Sequence, residues 1–302
     1  MQQIEEKTLL QQDEGTPATG LKVVWREFKK DKLAMTSLIV LVGIIVVTFV
    51  WAFTIDREEL MQISLYDEFA QPGTNGFILG ADQGGSDILG QLILGTRNSL
   101  TIAIAITLIT GVLGVGIGLA AGYFGGIVDA IIMRIMDFYM TLPTLMIIIV
   151  FVTIVPKYNV TTFVLIMSAF LWVGTARLIR SKVLSEGKRD YVSASKTMGT
   201  GNFAIMLKGI LPNISSLLIV ELTLNFAGNV GIETGLTYLG FGLPPNVPSL
   251  GTLVGAASNP VVLENNWWVW LPASILILVL MLAINYVGQA LRRAADSKQR
   301  LG

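Results

Sequence analysis

Six apolar runs, each about as long as a bilayer's hydrocarbon core is thick, leave this chain few ways to fold. A helix needs ~20 mostly apolar residues to cross ~30 Å of hydrocarbon. Runs of that order lie at 33–53, 99–121, 127–155, 161–179, 214–236 and 268–291. The first contains no charged residue. In lipid, every backbone N–H and C=O must find its partner within the segment, so such runs fold as helices. The expected fold class is therefore an all-α polytopic membrane protein with six transmembrane helices. A charged fraction of 14% agrees, since soluble domains carry ~25%.

Six crossings put both termini on one side. If that side is cytoplasmic, Arg57, Arg97 and Lys157 lie outside and the other 18 of the 21 Lys and Arg lie inside. The outer segments instead hold Asp56, Glu58, Glu59, Asp67, Glu68, Asp82, Asp87 and Glu264. The positive-inside rule then orients both termini to the cytoplasm. Residues 1–20 are polar and acidic, without the pattern of a cleavable signal peptide, and read as a disordered cytoplasmic tail. Over 21–32, Leu21, Val24, Trp25 and Phe28 share a helical face opposite Lys22, Arg26, Lys29 and Lys30. That is the pattern of an interfacial amphipathic helix, or equally of a solvated charged helix leading into the membrane. After the first transmembrane helix at 33–53 comes an extracytoplasmic segment, 56–98. The five-helix core, 99–291, contains a cytoplasmic loop at 180–212 and a second outer segment at 237–267. A tail, 292–302, closes the chain.

Within the spans, Gly114, Gly118 and Gly122 recur every four residues, a stripe that lets another helix approach closely. The GVGIG sequence at 114–118 lies inside an apolar run, not after a strand, so it is no nucleotide-binding turn. Pro143 should kink the third span. Glu221, Asn225, Asn229 and Glu233 follow at four-residue steps and make one polar stripe along the fifth. Ionisable groups in a span point to function. This stripe suits a helix lining a water-filled pathway or a subunit interface, or one that bonds to neighbouring helices. In the third span Asp129 suits a helix N-terminus, and Arg134 with Asp137 has the spacing of an i, i+3 ion pair.

Catalysis has little to work with. His and Cys are both absent, which removes the commonest general base and thiolate or imidazole metal ligands. There is neither a nucleophile elbow nor a phosphate loop. Basic residues hug the membrane edge, which topology explains without nucleic acid. The expectation is a chain that is not an enzyme and binds neither metal nor cofactor.

Seven Lys and Arg fall between Arg177 and Pro212. Inside that loop Tyr191, Ala194, Ser195 and Met198 stand at i, i+3, i+4 and i+7, a short amphipathic helix. Gly199 stops it where a left-handed C-cap would sit, and Pro212 is placed to open the next helix. A small, sharply bounded helix facing the cytosol is suited to docking a partner.

These residues resemble the "EAA" cytoplasmic loop of ATP-binding-cassette importer permeases. Ser193, Ala194 and Ser195 stand for Glu-Ala-Ala, followed by Gly199 and later by Leu211 and Pro212. The surrounding 171–199 is similar to the oligopeptide/dipeptide/nickel branch in length and order. So are GYFGGIVDAIIMRIMDFYMTLPTL at 122–145, LTYLGFGLPPNVPSLGTLV at 236–254 and LGADQGGSDILGQLILGTRNSL at 79–100. Ser86 and Gln91 depart from the pattern, standing where the last segment usually has arginines. The long first outer loop and lone amino-terminal helix resemble the C-type subunit of that branch.

The resemblance implies a type I ABC importer permease architecture in a prokaryotic cell membrane. The partners it implies are a homologous second permease subunit in a heterodimer, two cytoplasmic ATPases and an extracytoplasmic substrate-binding protein. ATP and Mg would be held by the ATPases. The helix 190–198 would be the coupling helix, with Tyr191 and Met198 supplying contact area, small Ala194 and Ser195 permitting close approach and Gly199 fixing the exit. Peptides are the expected cargo, with nickel or a metal chelate as the alternative. An ion-coupled carrier or a non-transporting scaffold remains as a rival from another class.

Overall fold

The computed structural model describes residues 21–301 other than 65, 157 and 245, so the tail expected at 1–20 lies outside the described residues. Among them the architecture is helical, with one isolated bridge between Ala81 and Asp87. Helix α1 (Leu21–Lys30) turns at Asp31 into α2 (Lys32–Ala52). Asp31 caps α2 by accepting the Ala34 N–H at 3.1 Å. A short α3 (Arg57–Leu60) precedes an irregular outer segment. Then come α4 (Ile88–Phe124), α5 (Gly126–Thr141), α6 (Thr144–Ile154) and α7 (Val160–Glu186). Helix α8 (Asp190–Thr197) and α9 (Asn202–Ala204) lead through a π-helical turn, Ile205–Ile210, into α10 (Leu211–Tyr238). The second outer segment holds α11 (Leu250–Gly255) and α12 (Pro260–Asn265), and α13 (Trp267–Leu301) ends the fold.

Five helices are long and apolar enough to cross a membrane: Lys32–Ala52, Ile88–Phe124, Val160–Glu186, Asn202–Tyr238 and Trp267–Ala295. A sixth crossing exists if α5 and α6 count as one span. They meet at 81°. Pro143 therefore breaks the third span, where the sequence suggested only a kink. The residue before a proline is pushed out of the helical region, and Leu142 is extended at φ −86°, ψ 136°.

Two helices extend past their expected limits. The second span begins at Ile88 because Asp87 accepts the N–H groups of Leu89 and Gly90, which turns the end of the expected outer segment into helix. The helical path of the fifth begins at Asn202 and runs through the π-turn, and Pro212 stands in the first turn of α10, as the sequence suggested. The π-turn before it absorbs the proline: Leu211 N–H reaches back to Met206 O, and Asn213 donates its side-chain amide to Gly209 O at 2.9 Å. At the other end of the chain, the expected tail at 292–302 continues α13 as far as Leu301.

The glycine stripe of α4 packs against α7. A Cβ on Gly114 would stand 2.7 Å from Thr175 Cβ, one on Gly118 2.6 Å from Ala176 O, and one on Gly122 2.7 Å from Val183 Cβ. Across the bundle, α13 packs on α10, α2 and α1. Part of the apolar face of α1 is covered by the chain itself: Val24 and Phe28 are buried, Phe28 against Ala34, Val287 and Ala290, while Trp25 is exposed. The i, i+3 pair read from Arg134 and Asp137 is not what forms. Arg177 of α7 takes Asp137, and Arg180 donates through Nε and Nη2 to both carboxylate oxygens of Asp129. Two ion pairs thus clamp α5 to α7, just beyond the turn that Gly125 and Gly126 make with φ of 62° and 52°.

Candidate functional site

The short helix α8 stands on an apolar pedestal. Val192 is fully buried in a cluster with Leu119, Ile179, Val183, Ile205, Met206, Ile210 and Ile214. Those residues come from α4, α7, the π-turn and α10, so four elements meet beneath one helix. Asp190 in its first turn and Lys196 in its last complement the helix dipole. Its end is a Schellman turn: Thr200 N–H bonds to Ser195 O and Gly199 N–H to Lys196 O, each at 3.0 Å. Gly199 takes φ 76°, a left-handed conformation that costs other residues ~1–2 kcal/mol.

The face named from the sequence divides. Tyr191 and Ser195 are half-buried, and Ser195 Oγ donates to Tyr191 O at 2.8 Å. Tyr191 Oη donates to Glu186 Oε2 at 3.1 Å, and burial pushes the phenol's pKa up. Ala194 is exposed, and so is Met198 at 76%. Leu211 is half-buried against the pedestal, while Pro212 is exposed. Phe203 and Leu207 extend the exposed apolar surface of the loop. Tyr123, at the end of α4, holds both sides of the loop: Lys196 Nζ lies 4.8 Å above its ring, and its Oη donates to Asn202 Oδ1 at 2.8 Å.

Sequence reasoning missed Val192, Tyr123, Phe203 and Leu207. The i, i+4 spacing of Phe203 and Leu207 is the one local signal for any of them. Val192 reads as one apolar residue in a polar helix until its tertiary neighbours are known.

The polar row of α10 also divides. Half-buried Asn225 donates to Thr175 Oγ1 of α7 at 2.9 Å and to Glu221 Oε1 at 3.3 Å. Asn229 is buried and donates to Thr107 Oγ1 of α4 at 2.9 Å. Glu233 is fully buried and accepts from Thr237 Oγ1 at 3.1 Å. Thr237 Oγ1 in turn receives the Leu243 N–H at 3.2 Å. In this conformation Asn229 and Glu233 are buried and bond within the chain, with Thr237 linking Glu233 to Leu243, while Glu221 and Asn225 keep partial access.

That outer segment is pinned in several places. Asn98 donates to Pro248 O, Leu250 N–H to Ser99 Oγ, Arg57 to Asn246 O and Tyr158 Oη to Gly242 O. Burial pushes the Tyr158 phenol's pKa well up, which keeps it a donor. In the first outer segment, Gln91 and Ser86 are buried and Gln91 donates to Asp82 Oδ2 at 2.6 Å. Gln91 is therefore a neutral partner for a carboxylate that also accepts the Gly84 and Ser86 N–H groups. Among the described residues no group of three or more carboxylates is placed to hold a metal ion.

The chain is similar to known proteins along most of its length. Residues 114–301 match the binding-protein-dependent transport system inner membrane component, and residues 20–72 match the N-terminal TM domain of oligopeptide transport permease C. The oligopeptide transport system permease protein OppC of Lactococcus lactis subsp. lactis is 50% identical over 273 residues, 90% of this chain and 93% of that protein. The dipeptide transport system permease protein DppC of Haemophilus influenzae is 33% identical, over 93% and 96% of the two chains. An oligopeptide permease of Mycobacterium tuberculosis is also 33% identical, over 94% and 96%.

Proposed function

The chain belongs to the binding-protein-dependent transport inner membrane components, and we propose that it forms half of the membrane pathway of an ATP-driven peptide importer. The observation that carries the reading is 50% identity to an oligopeptide permease along nine-tenths of the chain. The relatives reported above carry peptide names, which favours peptides over nickel or a chelate. The side of the bundle that bears α8 faces the cytoplasm, in keeping with its Lys and Arg. A homologous permease subunit completes the pathway, an extracytoplasmic binding protein delivers the peptide, and two ATPases dock below.

The chain itself performs no chemistry; ATP and Mg belong to the ATPases. Helix α8 is the coupling element, and exposed Ala194, Met198, Phe203 and Leu207 are its docking surface. Force applied to α8 reaches α4, α7 and α10 together, because Val192 is seated among residues of all three. An interior packed this densely passes on a displacement instead of absorbing it. Closure of the ATPases then rocks the spans between inward- and outward-facing arrangements, a rigid-body transition. Glu221 and Asn225, still partly accessible, are the residues of the α10 row placed to meet the pathway.

Reconstitution tests this reading. Proteoliposomes holding the chain, its sister permease, the ATPases and the binding protein should accumulate a labelled oligopeptide only with ATP inside the ATPase-facing compartment. Uptake driven by an ion gradient without ATP would instead establish a secondary carrier.

A further inference from the structure

Where α1 leans on the bundle, a pocket of about 180 Å3 remains, lined by Val24, Trp25, Ser216, Ile219, Val220 and Leu291. Three elements supply the walls, and Ser216 is the one small polar side chain among them. All three reach the pocket at the same level of the bundle. Ser216 lies just inside the apolar run that starts at 214, Leu291 ends the run 268–291, and α1 directly precedes the first apolar residues of α2. The pocket therefore sits where hydrocarbon gives way to headgroups, on the side rich in Lys and Arg.

Its rim is built for that boundary. Trp25 stays 45% exposed, as an interfacial tryptophan does. Lys29 Nζ stands 5.3 Å over the Trp25 ring. Other charges nearby are paired within the chain: Lys30 with Glu27 at 2.7 Å and Arg293 with Asp31 at 2.8 Å. Lys29, lying over the Trp25 ring at the mouth, is placed to meet an outside anion. Helix α1 does not need lipid to cover Phe28, which the chain buries itself, so the pocket is a separate feature and not the underside of a floating helix.

We propose that this pocket binds one acyl chain of an anionic phospholipid from the Lys- and Arg-rich leaflet, its phosphate lying against Lys29. The apolar walls match hydrocarbon, and the basic rim matches a net negative headgroup. A zwitterionic lipid fills the same slot but gains little from Lys29. A bound lipid then cements α1 to α10 and α13.

The test uses the full chain purified with its co-expressed partner subunits, stripped of lipid in detergent. It is titrated with phosphatidylglycerol or phosphatidylcholine of identical acyl chains, and bound lipid is counted by native mass spectrometry. One phosphatidylglycerol should be held more tightly than phosphatidylcholine. Lys29→Gln should weaken phosphatidylglycerol by about fivefold, the effect of one surface charge, and leave phosphatidylcholine unchanged. Ser216→Phe, which fills the slot, should weaken both. Equal retention of the two lipids, with Lys29→Gln changing neither, overturns the proposal. So does a photo-crosslinker at position 25 that captures a protein subunit in membranes and no lipid. If Ser216→Phe fails to fold, the exposed Lys29→Gln change decides alone.

Discussion

Replacing Gly118 by alanine adds one methyl group where α4 has no room for it. The new Cβ would stand 2.6 Å from Ala176 O, 2.9 Å from Ile179 Cβ and 3.1 Å from Arg180 N. Two of those three atoms are backbone of α7, which cannot swing aside as a side-chain tip can. Ordinary non-bonded contact lies near 3.5 Å, so the helices must separate by roughly 1 Å. That retreat also loosens the seats of Gly114 on Thr175 and Gly122 on Val183, one turn away on either side. Overpacking of this kind costs ~1–3 kcal/mol. Gly116, two residues earlier on the same helix, has nothing within 4 Å of its Cβ position. Alanine there gains the same helix propensity, ~1 kcal/mol over glycine, and meets no neighbour. The difference between the two variants thus isolates the packing cost. In thermal unfolding of the detergent-solubilised protein, Gly118→Ala should melt several degrees below Gly116→Ala. Equal melting, or a more stable Gly118→Ala, would refute close helix approach as the reason for the stripe.

Other perturbations have equally definite outcomes. Gly199→Val forces a β-branched residue into a left-handed turn at ~1–2 kcal/mol; membrane insertion should persist while peptide-stimulated ATP hydrolysis by the complex falls, and Gly199→Asn should lie between. Arg180→Gln strips Asp129 of its two-pronged partner and should cost ~1–3 kcal/mol in melting experiments, much of it recovered when Asp129→Asn is added. The Ala34 N–H, and after it the Arg293 guanidinium, hold the Asp31 carboxyl below its ordinary value of 3.8. Its folded pKa is depressed, so its stabilisation is complete above 3.8 and is lost as pH falls through the lowered value. Melting followed downward from neutral pH should show that loss, and Asp31→Asn should remove that part of the acid dependence.

The six apolar runs made the membrane-spanning fold legible because bilayer thickness and backbone hydrogen bonding leave few alternatives. What escaped is where tertiary structure chooses among local options. Hydropathy marks where a helix can lie in lipid, not where it begins, so the eleven helical residues before Ser99 were read as loop despite the Asp87 cap. Pro143 announces a disturbance, but a break of 81° depends on Leu142 becoming extended, which neighbours permit and sequence does not measure. Asp137 had a local candidate in Arg134, yet its partner is Arg177, 40 residues away. The same holds in the loop around α8. Spacing singled out Tyr191, Ala194, Ser195 and Met198, and Gly199 closed the helix in the left-handed turn its type favours. Periodicity over eight residues does not say which side is inward, and Val192 is the anchor only because α4, α7 and α10 converge beneath it.

The central claim is that α8 transmits the work of cytoplasmic ATPases to the spans. Its most direct test is co-purification from gently solubilised membranes, wild type against Ala194→Arg, with partners identified by mass spectrometry. Ala194 is exposed on α8, so arginine there leaves the chain's own packing intact and obstructs whatever docks. The account predicts that wild type brings down a second six-span permease and two ATPases, and that the variant keeps the permease and loses the ATPases. Recovery of the ATPases undiminished with Ala194→Arg would contradict it.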